Sequence, residues 1–296
     1  MSIPILNQAG LAQVSPANTY VGLTTNLPGS AAGEPKKYYP DGTRNYLRIV
    51  PIDSIQAASG LMAMKQAGCT KVAVANDKEA YGAGLATLLE LEKGMYGVTI
   101  VSNTGIDPTA ANFRSYASTI ASEGANCFFF AGIVSNGAVQ ITKDVNAALP
   151  DAKVFGGDGV CTSAFTQASQ GGVPASVDKL IECTVATQNL GAYPGGKQFL
   201  EQYKAAYGVS HPDPYAIYGY AAMELGLHAV ASLGAAGDNK ADVLKALFAT
   251  KNRNSVLGTY SFNSDGDTTL KSYGLYKVGS NGDPVFDKTL TPTKTL

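Results

Sequence analysis

From Lys71 to Gly156 the sequence switches repeatedly between two hydrophobic periods, and this alternation restricts the fold more than any other feature. Lys71-Val72-Ala73-Val74-Ala75 is a short apolar run, and residues 81–93 then place Leu85, Leu88, Leu89 and Glu92 at helical spacing. Residues 98–101 read as a strand and 110–123 as a helix with Phe113, Tyr116 and Ile120 on one face. The pattern repeats with strand 127–131, helix 136–148 and strand 153–156. Units of roughly 25–30 residues in which a helix separates each strand from the next predict a parallel sheet with helices on both faces. Sheets of this kind bind ligands outside the carboxyl ends of their strands.

The chain of 296 residues exceeds one ordinary core, so two lobes of roughly 100–150 residues are expected. A strand at 46–50 ends at Pro51, where the chain is expected to cross between lobes. A further strand is read at 180–187, followed by the Gly/Pro-rich stretch 191–196 and helices at 197–207, 215–233 and 241–250. The closing section, 258–262, a turn at 263–267, and 273–278, reads as strand, turn, strand. This assigns 1–50 with 188–257 to a first lobe, and 51–187 with 258–296 to a second.

Several function classes drop out on composition. A net charge of −1, with no basic cluster larger than Lys36-Lys37, cannot neutralise a phosphate backbone, so no nucleic-acid partner is expected. No apolar run reaches the ~20 residues of a membrane span. The opening MSIPILNQAG lacks the basic start and apolar centre of a secretory signal. His211 and His228 are the only histidines and no C-x-x-C pair occurs, so neither metal nor cofactor is expected. Cys69, Cys127, Cys161 and Cys183 suit either four buried thiols or two disulfides. Strand order favours disulfides: the first and third strands of such a sheet are commonly neighbours, bringing Cys69 beside Cys127. Cys161 follows the fourth strand and Cys183 lies in the next. The expected pairs are Cys161–Cys183 and Cys69–Cys127, which imply an oxidising, extracytoplasmic setting.

Four loops fall at strand carboxyl ends: 15–19, 76–82, 132–136 and 157–162. Asp158, flanked by glycines in Gly156-Gly157-Asp158-Gly159, can reach an ammonium group or simply cap a helix. Tyr81 can lie over a ligand or cover a helix start, and Ala17 and Thr19 sit in ordinary turn chemistry. Asp265 and Asp267 fall far short of a calcium loop and read as a plain hairpin turn. Tyr215, Tyr218 and Tyr220 read as packing between lobes. Nucleophile elbows, phosphate loops and dinucleotide fingerprints are all missing, so recognition without catalysis is expected.

In order and spacing these segments resemble the type I periplasmic binding proteins, in the leucine/isoleucine/valine-binding branch that feeds ATP-driven importers. Val14-Ser15-Pro16-Ala17-Asn18-Thr19 is similar to that family's I-S-P-A-A-T, and Asp77-Lys78-Glu79-Ala80-Tyr81-Gly82 to its D-K-x-x-Y-G loop. Gly156-Gly157-Asp158-Gly159-Val160, Pro214-Tyr215 and the closing Gly258–Asp267 segment also match. The resemblance implies an α/β fold of two hinge-linked lobes, each a doubly wound parallel sheet, closing on a small amino acid of branched-chain or hydrophobic type or a related compound. It implies ligand contacts at Ala17, Thr19, Tyr81 and Ile133, and pairing of Asp158 with the α-ammonium, with a membrane permease as partner. Two departures reshape the expected pocket. Ile133 stands where the branched-chain binders carry an aromatic residue, and Asp158 replaces a glutamate. The family's first strands have no counterpart here, so an incomplete first lobe, with apolar surface favouring self-association, is expected. A ligand-sensing regulatory domain of the same fold, and a truncated fragment that binds nothing, are the alternatives.

Overall fold

The structure is a computed structural model; it describes residues 2–296 and divides the chain into two compact units, Met1–Ile52 with Thr187–Lys271 and Asp53–Ala186 with Ser272–Leu296. The expected α/β class is what it holds.

The second unit is built on a seven-stranded sheet. Strands β3 (Lys71–Asn76), β4 (Thr99–Gly105), β5 (Cys127–Ala131), β6 (Lys153–Gly156) and β7 (Ile181–Val185) run parallel in the order β7-β6-β5-β3-β4. Two antiparallel strands, β10 (Tyr273–Val278) and β11 (Pro284–Leu290), extend the β7 edge. Cys-Phe-Phe-Phe-Ala of β5 lies wholly buried at the centre, as a parallel strand covered on both faces must. Phe128 and Phe130 pack with α4 (Arg114–Ser122) and α5 (Val139–Ala148) through Ile120, Ile141 and Val145. Phe129 points to the opposite face, towards α2 (Asp53–Gln66) and α3 (Ala80–Tyr96). There a side chain at Gly60 would approach the Phe129 ring to 3.2 Å, so the ring and α2 pack closely at this glycine.

The first unit carries a short parallel pair, β1 (Gln13–Ser15) and β2 (Tyr46–Arg48), in the register Val14 opposite Leu47. Around it stand α1 (Ile3–Gln8), α7 (Gly196–Tyr207), α8 (Ala216–Ser232), α9 (Lys240–Phe248) and the hairpin β8 (Arg253–Ser255) and β9 (Gly258–Tyr260). The one-turn helix α6 (Ser163–Thr166) belongs to the second unit. The strand, turn and strand expected over 258–278 all form, as β9, the turn at 263–267 and β10, but the two strands do not pair with each other. The turn at 263–267 closes on itself, Asp267 N–H donating to Asn263 Oδ1 at 2.9 Å, and Phe262 bridges only to Thr268. β9 instead pairs with β8, while β10 enters the large sheet beside β7. Residues 258–271 therefore belong with the first unit, not the second. The helix expected from about 215 begins at Ala216 and includes His228; His211 lies in the loop before it.

All four cysteines are paired, Cys69 with Cys127 at a Cα separation of 5.8 Å and Cys161 with Cys183 at 5.5 Å. The adjacency of β3 and β5, with Val72 opposite Cys127, brings the first pair together. The bridges span 58 and 22 residues. Loop entropy then predicts that replacing both cysteines of a pair by serine costs about 4 kcal/mol for the longer loop and about 3 kcal/mol for the shorter. Urea unfolding followed by circular dichroism checks both values.

Glu92 of α3 is fully buried. Its Oε1 accepts the Leu296 N–H at 3.1 Å, and Oε2 has no hydrogen-bond partner among the described residues. Burial pushes its carboxyl up to about 7 from 4.5, against the smaller pull of the Leu296 amide. A carboxyl whose folded value lies above its unfolded one holds its proton more tightly when folded. Stability must therefore fall as pH rises from about 4.5 to about 7, and level off above. Glu92→Gln should flatten that decline and leave the protein more stable at pH 8 by at most about 3 kcal/mol. Thermal unfolding of both proteins across pH 4–8 measures this; parallel curves would refute it.

Candidate functional site

Three loops meet at the carboxyl ends of β3, β5 and β6. Asp77, only 2% exposed, joins the first two. Its Oδ1 accepts Glu79 N–H at 3.1 Å, while Oδ2 accepts Ile133 N–H at 3.1 Å and Asn136 Nδ2 at 2.9 Å. The space around this carboxylate explains two glycines. A Cβ at Gly82 would lie 2.3 Å from Asp77 Oδ1, and one at Gly132 would lie 2.6 Å from Asp77 Cγ. Ile133 leaves this knot 43% exposed, at the start of a wide turn, Val134–Ala138, that delivers the chain into α5.

Asp158 opens a short helical turn directly after β6, and Tyr81 sits in the first turn of α3. The Tyr81 hydroxyl donates to Asp158 Oδ1 at 2.6 Å. A Cβ at position 157 would come within 2.4 Å of that hydroxyl, so Gly157 is what lets tyrosine and aspartate meet. Burial, and then the negative charge of Asp158 and Asp53, hold the Tyr81 phenol well above its ordinary value near 10. It stays protonated and remains a donor. Gln56 of α2 completes the cluster: its Nε2 donates to Asp158 Oδ1 at 3.0 Å and to the Thr184 carbonyl at 3.2 Å. The result is a carboxylate oriented by neutral donors, with the buried Asp53 adding to the negative charge nearby, chemistry suited to holding an ammonium.

On the first unit, Ser15 Oγ accepts the backbone N–H groups of Ala17 (3.3 Å) and Asn18 (3.0 Å), folding the loop after β1 into a tight turn. Thr19 is 3% exposed. Beneath the loop lies Arg48, fully buried at the end of β2. Its Nη1 donates to the carbonyls of Asn18 (3.2 Å) and Tyr20 (2.7 Å), and its Nε to Asp267 Oδ1 at 2.6 Å. Arg48 Nη2 also donates to Thr24 Oγ1, which donates to Asp267 Oδ1 at 2.9 Å. Reading Asp267 as a mere turn residue missed this role; Asp265 in the same turn pairs with Arg44 at 3.0 Å. Tyr218 packs inside this unit, its hydroxyl 3.0 Å from that of Tyr193.

Of the five residues expected to contact ligand, the structure joins Tyr81 to Asp158 directly, and Ile133 is held separately by Asp77. Ala17 and Thr19 lie on the first unit. Gln56, Asp77 and Arg48 escaped the sequence reading. Among the described residues no group of three or more His, Cys, Asp or Glu side chains gathers as a metal site would, and no helix is long and apolar enough to cross a membrane.

The family model described as periplasmic binding protein matches residues 4–283, nearly the whole chain. The chain belongs to the periplasmic binding protein family. Among curated relatives of this periplasmic binding protein, the "Leu/Ile/Val-binding protein homolog 3" of Brucella melitensis is 26% identical over 276 residues. That match covers 92% of this chain and 68% of the relative. Among solved structures, the leucine-binding protein LivK of Thermotoga maritima superposes with a TM-score of 0.77 at 22% identity, covering 98% of this chain and 76% of LivK. A Rhodopseudomonas palustris (R. palustris) ABC-transporter solute-binding protein in complex with benzoate gives 0.74 at 19% identity, covering 98% and 74%. The periplasmic binding protein described here is a solute-binding protein and not an enzyme.

Proposed function

We propose that this protein binds a small α-amino acid of branched-chain or other hydrophobic type outside the cytoplasm and delivers it to the membrane permease of an ATP-driven importer. The observation that carries this reading is the oriented carboxylate of Asp158, held by the Tyr81 hydroxyl at 2.6 Å at the carboxyl end of β6. A carboxylate presented by neutral donors attracts an ammonium and repels a lone carboxylate, which favours an amino acid over a benzoate-like acid. Ile133, partly exposed at the mouth of β5, offers an aliphatic surface for the ligand side chain. Two disulfides suit an oxidising compartment, and the printed names of the relatives, leucine, isoleucine and valine binders among them, support the ligand class.

Thermal unfolding against a panel of the common L-amino acids, benzoate and 4-hydroxybenzoate tests the reading. A rise in Tm with one aliphatic amino-acid class, growing with concentration as mass action requires, is expected. A rise with the aromatic acids alone, or a flat response to every compound, would reject it.

A further inference from the structure

Asp158 stands between Gly157 and Gly159, so no neighbouring side chain along the chain packs against it to fix its rotamer. Its orientation must come from hydrogen bonds, and two donors converge on a single oxygen, Oδ1: the Tyr81 hydroxyl at 2.6 Å and Gln56 Nε2 at 3.0 Å. Gln56 is fully buried and its amide is not free to turn over. Nε2 faces two acceptors, Asp158 Oδ1 and the Thr184 carbonyl at 3.2 Å, while Oε1 faces the Tyr81 hydroxyl at 3.4 Å. Thr184 belongs to β7 and follows Cys183, whose disulfide partner Cys161 closes the short turn that Asp158 opens. Gln56, Thr184, the Cys183–Cys161 bridge and Asp158 therefore make a closed ring of one amide and one covalent tether. Within that ring, the amide sets where the carboxylate points.

We propose that Gln56 is a positioning residue, which locks the Asp158 carboxylate in its ligand-receiving rotamer by donating to Oδ1 from an anchor on the β7 backbone. This rests on the reading of Asp158 as the ammonium acceptor. Gln56→Met keeps the length of the side chain and removes the donor. On that reading it should lower affinity for L-leucine by about tenfold to a hundredfold, the range of a lost hydrogen bond to a charged group.

The test is a double-substitution cycle read by isothermal titration calorimetry with L-leucine, together with a measurement on the ligand-free protein. In an Asp158→Ala background, which removes the acceptor oxygen altogether, Gln56→Met should change affinity by less than about threefold, because its partner is already gone. An equal loss on both backgrounds would show a merely structural role and overturn the proposal. Without ligand, the three-bond scalar couplings of Asp158 should report a single χ1 rotamer in the wild type and averaging in Gln56→Met; unchanged couplings would also overturn it. Should the wild type bind none of leucine, isoleucine and valine, the functional reading fails and the couplings alone decide the role of Gln56. Gln56→Glu supplies a second variant if Gln56→Met does not fold. Its affinity loss should shrink as pH falls and the introduced carboxyl gains a proton to donate, and a pH-independent loss would count against the proposal.

Discussion

Asp158→Asn should reduce affinity for L-leucine by about a hundredfold or more while leaving Tm without ligand within about 2 °C of the wild type. The substitution keeps the shape of the side chain and removes its charge. Losing one partner of a hydrogen-bonded charge pair in a desolvated site costs about 2–5 kcal/mol, because the ligand ammonium is then held without its counter-charge. Stability should change little, since the Tyr81 hydroxyl and Gln56 Nε2 can both donate to an amide oxygen as they now do to Oδ1. The loss should lie mainly in the dissociation rate, as it does for buried charged contacts generally. Titration calorimetry gives the affinity and stopped-flow kinetics the rates. An affinity within threefold of the wild type would remove Asp158 from the site.

The largest effect on stability should come from the first unit. Arg48→Ala is expected to cost about 3–5 kcal/mol, since it strands Asp267, a carboxylate only 6% exposed, without the guanidinium that balances it. The same change withdraws donors from the carbonyls of Asn18 and Tyr20, so the loop bearing Ala17 and Thr19 loses its floor as well. A double variant, Arg48→Met with Asp267→Leu, separates the two effects. Replacing both charges by apolar groups of similar size removes the stranded ion, and should restore much of the stability. It cannot restore the two carbonyl contacts, so part of the loss should remain. Urea unfolding followed by far-UV circular dichroism is the appropriate probe, as the chain contains no tryptophan. A cost below about 1 kcal/mol for Arg48→Ala would contradict the role assigned to the pair.

How much of this was legible in the sequence depended on how each element announces itself. Strands β3, β5 and β6 are short apolar runs between polar turns, and the structure places them within one residue of their expected ends. Helix α2 was invisible for a physical reason: ten of its fourteen residues are buried, and they are mostly alanine, serine and glycine, so no apolar stripe alternates with a polar one. Gln56 was lost with it. Strand β11 is largely exposed along its length, and carries too little apolar alternation to mark an edge strand. The site was half legible. Glycines around Asp158 and the Asp77–Gly82 loop pointed to a carboxylate and a tyrosine that the structure joins by a hydrogen bond. The Arg48–Asp267 pair joins residues 219 positions apart, and no local pattern foretells it.

One comparison bears most directly on the assignment of Asp158 as the ammonium acceptor: calorimetric titration of the wild-type protein with L-leucine and with 4-methylpentanoate, which keeps the carboxylate and the branched chain but lacks the ammonium. Leucine should bind saturably at one site per chain, and the deaminated acid at least a hundredfold more weakly. Equal affinity for the two, or tighter binding of the acid, would contradict the assignment.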